Sequence, residues 1–220
     1  MKYLRKFETE ADVNMSVLPN VVLVGDTGKI VYNALNGVFI QHIDGTLYTT
    51  DEWTAKGFSN DEANGVAVGN GEVAFVLAKD NISTSINWAS DTSTLVEGVL
   101  ATTDRNASYK DFDGARNTRR ILSIDKSQAA YLCANHIFPN GNKGYLPAVG
   151  EINMVVRNFH NVNNALQLIG GTALSSVYLW SSTQYNATTA WCGYCAYGMG
   201  AVARERAKNT ANYVRPFTTL

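Results

Sequence analysis

The chain has 220 residues, with 18 Lys+Arg against 19 Asp+Glu, 45% hydrophobic residues and a charged fraction of only 17%. A chain of this size buries a full core, and its sparse charge leaves Asn, Ser, Thr and Tyr to make up much of the polar surface, which argues against disorder. A net charge of −1 argues against a general nucleic-acid binder, and no apolar run reaches the roughly 18 residues of a transmembrane helix.

The charges are unevenly placed: residues 1–100 hold 6 bases and 13 acids, whereas residues 101–220 hold 12 bases and 6 acids. The start, Met1 to Glu10, has no apolar stretch after its basic residues, so no secretory signal is expected and synthesis in the cytoplasm is the default. An odd count of three cysteines fits a reduced compartment better than a disulfide framework.

The first half predicts short strands joined by turns. Val21–Val24, Gly25-Asp26-Thr27-Gly28 and Lys29–Tyr32 form a hairpin pattern. Val38–Ile43 with Thr46–Thr49, and Gly65–Val68 with Glu72–Leu77, repeat it. Gly25 to Lys29 also resembles a phosphate-binding loop, but the spacing is short, Ile30 stands where a magnesium-binding Ser/Thr would, and a strand follows. Asp51-Glu52 and Asp61-Glu62 read as acidic turns.

The period then changes. Ala129, Cys133, His136 and Ile137 share a helical face, and Ile152, Val155, Val156 and Phe159 follow the i, i+3, i+4, i+7 template. Residues 163–169 before Gly170-Gly171 predict a short third helix. Strand-like composition returns after Gly171, so the pattern is that of an α+β domain with antiparallel strands. A boundary is expected near residues 33–37.

Trp191-Cys192-Gly193-Tyr194-Cys195 matches the active-site spelling of thioredoxin-like oxidoreductases. That chemistry needs the first thiol at a helix N-terminus. Here glycines follow and no helical period does. A zinc site would need two more ligands, with only Cys133, His42, His136 and His160 on offer. A thiol oxidoreductase or metal protein using Cys192 and Cys195 stays open as the alternative at this point.

From Asp111 onward the residues spell Asp113-Gly114-x-x-Asn117-Thr118, Ala129-Ala130-x-x-Cys133, Gly144-Tyr145-Leu146-Pro147-x-x-x-Glu151, Leu179-Trp180-Ser181-Ser182-Thr183, Ala190-Trp191, Gly198 and Tyr213-Val214-Arg215-Pro216. In combination this resembles the C-type lectin fold proteins that diversity-generating retroelements mutate. That group is related to the phage major tropism determinant and to the formylglycine-generating-enzyme type of lectin fold. Residues 37–48 resemble tail-associated proteins of phages and prophages of gut Bacteroidetes.

The resemblance implies a C-type lectin fold with two main helices and antiparallel strands over residues 36–220, preceded by an attachment or oligomerisation segment with a β-hairpin over residues 1–35. It implies a variable region at 185–207, where a copied template rewrites adenines. An AAY codon reaches every residue type in Cys192 to Tyr197, whereas Met199 and Glu205 need another parent codon. Strand alternation from an inward Trp191 turns Gly193 and Cys195 inward and Cys192, Tyr194 and Ala196 outward. The expected ligand-binding surface is Tyr185, Asn186, Thr189, Cys192, Tyr194, Ala196, Tyr197, Met199, Ala201, Ala203, Arg204 and Arg206, joined by Lys208 in a basic patch, with Trp180, Trp191 and Tyr213 as scaffold.

The implied function is non-enzymatic binding of a host cell-surface protein or glycan by a tail-associated, virion-displayed adhesin, as a trimer if displayed at a tail tip. No catalytic residue, metal or cofactor is expected, and no nucleic-acid partner or membrane insertion. The Glu-Pro-Asn, Gln-Pro-Asp and Trp-Asn-Asp signatures of calcium-dependent sugar binding are absent from the sequence. An undiversified structural tail or surface module is a further alternative.

Overall fold

Short strands recur in the described part of the first half of the chain, as the pattern predicts. The computed structural model describes residues 3–6, 21–24, 29–32, 35–124, 128–196 and 202–220. In chain order the strands and helices are β1 Tyr3–Lys6, β2 Val21–Val24, β3 Lys29–Tyr32, β4 Asn36–His42, β5 Leu47–Tyr48, α1 Thr50–Lys56, β6 Ala63–Asn70, β7 Ala74–Leu77 and β8 Ser83–Ile86. There follow α2 Arg105–Ser108, α3 Gly114–Ile124, α4 Gln128–Asn135, α5 Val149–Arg157, α6 Phe159–Leu168, β9 Val177–Gln184, β10 Thr189–Cys195, β11 Val202–Ala207, β12 Asn212–Val214 and β13 Phe217–Thr219. The class is mixed α+β, and among the described residues no helix is long and apolar enough to cross a membrane.

Among the described residues the strands form three sheets, with strand orders β1-β3-β2, β13-β7-β6-β4-β5 and β11-β10-β9-β12-β8. All three expected hairpins pair antiparallel: β2 with β3, β4 with β5 and β6 with β7. The Gly25 to Gly28 turn lies outside the described residues. Lys29 opens a strand where a phosphate-binding loop would open a helix. One strand pair departs from the antiparallel rule, since β12 runs parallel to β9 through Tyr213 and Leu179.

Asp51 and Glu52 are not a turn but the first turn of α1. The Glu52 amide donates to Thr49 Oγ1 at 3.2 Å while the Thr49 amide donates to Glu52 Oε2 at 2.8 Å, a reciprocal cap that satisfies two helix-end donors. Gly57, at φ +67°, closes the helix in the left-handed region. Asp61 and Glu62 form a 3-10 turn. The helical face placed on Ala129, Cys133, His136 and Ile137 is correct for the two buried residues only. The helix α4 ends at Asn135, leaving Ile137 beyond it and 54% exposed.

The C-terminal sheet is covered on both sides. On one side Ile152 and Val155 of α5 and Leu166 of α6 pack with Leu179, Cys195, Phe75 and Phe217. On the other, Trp180, Cys192 and Val214 pack with Trp88, Ile121, Cys133 and Leu146. Each large side chain removed from water this way contributes roughly 1.5–3 kcal/mol. Central strand β10 therefore buries both of its faces, which the outward half of the alternation pattern did not foresee.

The segment between β8 and α2 is long and without regular structure, yet it is fastened. Trp88 Nε1 donates to Ser181 O at 2.7 Å, the Val96 amide to Gln184 Oε1 at 2.9 Å, and Lys208 Nζ to Thr94 O at 2.9 Å.

Candidate functional site

Asn117, Thr118, Tyr145, Glu151, Ser182 and Thr183, drawn from separate motifs of the sequence, meet in one buried polar network. Asp111, just ahead of α3, accepts from Thr183 Oγ1 at 2.8 Å, Asn117 Nδ2 at 3.0 Å and the Asp113 amide at 3.1 Å. Asn117 Nδ2 also reaches Ser182 Oγ at 3.2 Å, and Thr183 Oγ1 accepts from the Val149 amide at 3.0 Å. Thr118 Oγ1 bridges Gly114 O at 2.8 Å and the Leu146 amide at 2.9 Å. Thus α3, the Tyr145 to Ala148 loop, the start of α5 and strand β9 are locked together by short polar side chains.

Glu151 lies inside this network, 3% exposed, three residues into the α5 cap. It accepts from the Ala148 amide at 2.6 Å and from the Tyr145 hydroxyl at 2.9 Å. Burial nevertheless pushes its pKa up to about 8, against the pull of those two donors and with the carboxylates of Asp111 and Asp113 adding to the rise. Burial also raises the Asp111 pKa, opposed by its three donors. The acids of the network are buried and hydrogen-bonded, and α5, which carries Glu151, packs against the neighbouring strand β10.

Strand β10 forms a ribbon with β11, paired with Cys192 opposite Arg204 and Ala190 opposite Arg206. One end of its outer face carries an aromatic and cationic patch. Tyr194 lies beside Tyr178 of β9, ring centroids 4.6 Å apart, and the Arg206 guanidinium sits 3.9 Å from the Tyr178 ring centre. Arg204 is exposed next to them, and neither arginine pairs with a carboxylate among the described residues. Half-buried tyrosines with a stacked guanidinium are rigid, amphipathic groups of the kind that dominate binding surfaces.

Of the expected surface residues, Tyr194, Arg204 and Arg206 come together here. Tyr185 is half-buried with its ring edge-on to Trp191, centroids 5.0 Å apart. Asn186 builds the β9–β10 turn, its Oδ1 accepting from the Thr189 hydroxyl at 2.7 Å and the Thr189 amide at 2.8 Å. Tyr197, Met199 and Ala201 lie outside the described residues.

Three expectations are corrected by burial. Cys192 is fully buried in the Trp88–Trp180 cluster, Ala196 is 7% exposed, and Ala203 is 2% exposed in a cluster with Trp191 and Val149. The reason is the second layer over the sheet. Lys208, expected in the basic patch, is also fully buried, donating to Gln184 Oε1 at 3.1 Å and lying 4.6 Å from the Trp88 ring centre. Tyr178 was missed; its place opposite Tyr194 in the β9–β10 register is a tertiary fact that spacing does not reveal.

The thiol pair reading is also overturned. Positions three apart in a strand point to opposite faces. Cys192 accordingly joins the Trp180 cluster and Cys195 the Ile152 cluster, with the sheet between them. Burial pushes each thiol pKa up to about 12, the reverse of what a thiolate nucleophile needs. Trp180 and Trp191 are scaffold: their ring nitrogens donate to Ile86 O at 2.8 Å and Thr102 O at 2.9 Å.

No protein-family model matches the chain, and no curated protein sequence does. Among solved structures, a fimbrial protein from Bacteroides ovatus ATCC 8483 is similar, with a TM-score of 0.59 and 13% identity, covering 84% of this chain and 49% of that one. The chain spans about half the length of that protein, and at this identity the likeness is one of fold.

Proposed function

We propose that the chain is a non-enzymatic binding protein with a C-type lectin type of domain, in which the β10–β11 ribbon contacts a host-surface protein or glycan. The observation that carries this reading is the patch of Tyr178, Tyr194, Arg204 and Arg206, held on a rigid buried network and left without carboxylate partners among the described residues. The meeting of Asn117, Tyr145, Glu151, Ser182 and Thr183 in that network supports the family reading. The similarity to a fimbrial protein is compatible with a surface-binding role.

The finer proposal is that the protein is displayed on a phage or prophage tail and that a retroelement rewrites residues 185–207. The adenine-compatible run from Cys192 to Tyr197 supports it. A neighbouring reverse-transcriptase gene and an adenine-rich near-copy of this stretch are the expected companions. Without them the chain reads as an undiversified surface module.

The binding reading is tested with Tyr194→Ala and Arg204→Ala, singly and together, in a cell-adsorption assay. The expected result is loss of adsorption with an unchanged thermal midpoint. Full adsorption by the double variant would remove the ribbon from the binding surface.

A further inference from the structure

Strand β11 is the outer strand of its sheet, and one side of its backbone has no neighbouring strand among the described residues. The Lys208 amide donates to Thr188 O at 2.9 Å, which sets the phase of the ladder: Arg204 and Arg206 turn their main-chain groups to β10, whereas Ala203, Glu205 and Ala207 turn theirs outward. The Ala203 amide is met there by the Tyr109 hydroxyl at 2.9 Å, and Ala207 O by the Thr210 amide at 2.9 Å. The amide and carbonyl of Glu205 and the amide of Ala207 have no partner among the described residues, and both residues are exposed.

The charges on this edge decide what can pair with it. Arg204 is exposed and has no carboxylate partner among the described residues, while the Arg206 guanidinium is drawn inward over the Tyr178 ring at 3.9 Å. A second copy of the chain is rejected. An edge-to-edge pair of β11 strands about a two-fold axis at Arg204 sets that arginine against its counterpart, and one at Glu205 sets two carboxylates together. An extended segment with an acidic side chain opposite Arg204 meets neither repulsion and supplies the counter-charge that the fold leaves out.

We propose that the β11 edge receives an extended acidic segment of a partner protein as an added strand. Main-chain bonds to the Glu205 amide and carbonyl and to the Ala207 amide hold the segment, and an Asp or Glu facing Arg204 selects it. Arg204 stands on the same face of the sheet as Tyr194 and Tyr178, so the acidic side of the segment flanks the aromatic patch. The inference rests on the β10–β11 ribbon being the binding surface and names the partner as a protein, since a glycan has no peptide backbone to continue the ladder.

The test is a titration of the full chain with a terminally blocked octapeptide of alternating threonine and aspartate, followed by backbone amide NMR and amide exchange, with the threonine and lysine octapeptide as comparison. The acidic peptide is expected to shift the Glu205 and Ala207 amides and protect them from exchange. Glu205→Pro removes an outward N–H and no bond to β10, so it is expected to weaken binding about tenfold, whereas Glu205→Ala keeps it. Arg204→Glu is expected to reverse the preference towards the lysine peptide, an outcome that decides the matter even where Glu205→Pro lowers the thermal midpoint. The proposal is overturned by equal binding of the two peptides, by Glu205→Pro binding as tightly as Glu205→Ala, or by shifts that leave Glu205 and Ala207 unprotected. Absence of any shift up to about 5 mM peptide overturns it as well. If Tyr194→Ala still abolishes cell adsorption in any of these cases, the ribbon remains the binding surface and only the added strand is removed.

Discussion

The Tyr145 hydroxyl donates to Glu151 Oε1 at 2.9 Å, and this contact joins the loop before α5 to the carboxyl that caps the helix from within. Because the pair is buried, its protonation is coupled to folding. A carboxyl whose folded pKa lies above its unfolded value gives stability that is complete below about 4.5 and lost as the pH climbs through about 8. Asp111 shifts in the same direction. The thermal midpoint is therefore expected to fall between about pH 5 and about pH 8.5, and Glu151→Gln to flatten that slope, since an amide keeps an acceptor for Ala148 while the Tyr145 hydroxyl rotates. A midpoint that rises over this range in the parent protein would contradict the assignment.

Two glycines are expected to refuse even a methyl group. A Cβ on Gly114 would collide with Glu151 Oε2 and lie 2.7 Å from the Ala148 amide nitrogen; on Gly193 it would collide with Ile152 Cγ2. Gly114→Ala and Gly193→Ala should each cost about 1–3 kcal/mol in chemical denaturation. Gly193 lies inside the stretch proposed to be rewritten. A library randomised over residues 185–207 and sorted for folding should keep Gly193, Cys192 and Ala203 small while Tyr194 and Arg204 vary freely.

Period and turn chemistry located the hairpins, and the Asp-Gly, Gly-Tyr-Leu-Pro and Trp-Ser-Ser-Thr groups pointed to residues that do meet in space. What the linear pattern missed is set by layers. Alternation places Cys192 and Trp191 on opposite faces correctly, but only the fold reveals that Trp88 covers the second face. Helix α1 was legible through Thr49-x-x-Glu52 and Gly57, and was overlooked because Asp51-Glu52 resembles a turn.

The buried thiols yield a chemical prediction. With pKa values pushed up to about 12 and the sheet between them, Cys192 and Cys195 should resist alkylation in the native protein. Cys133, fully buried and shifted upward as well, should behave alike. In a thiol titration with a disulfide reagent at neutral pH, all three are expected to react only on unfolding, and mild oxidants should give no 192–195 disulfide. Rapid native reaction of either residue would reopen the redox reading.

Lys208 should prove a structural latch and not a surface charge. Its ammonium donates to Thr94 O at 2.9 Å and Gln184 Oε1 at 3.1 Å above the Trp88 ring, and its carbonyl accepts from the Trp88 amide at 2.8 Å. Lys208→Met keeps the aliphatic stem and the backbone bond but removes the ammonium, leaving the Thr94 carbonyl without that donor. A loss of about 1–3 kcal/mol follows from leaving a buried acceptor without its donor. The effect should be local before it is global, because residues 87–100 have no strand or helix of their own to hold them. In hydrogen exchange, the Val96 and Val99 amides are expected to lose protection first, while those of β9 and β10 keep theirs. Equal loss across the sheet, with the 87–100 segment no faster than the rest, would mean that Lys208 stabilises the core as a whole and does not act as the fastening of that segment.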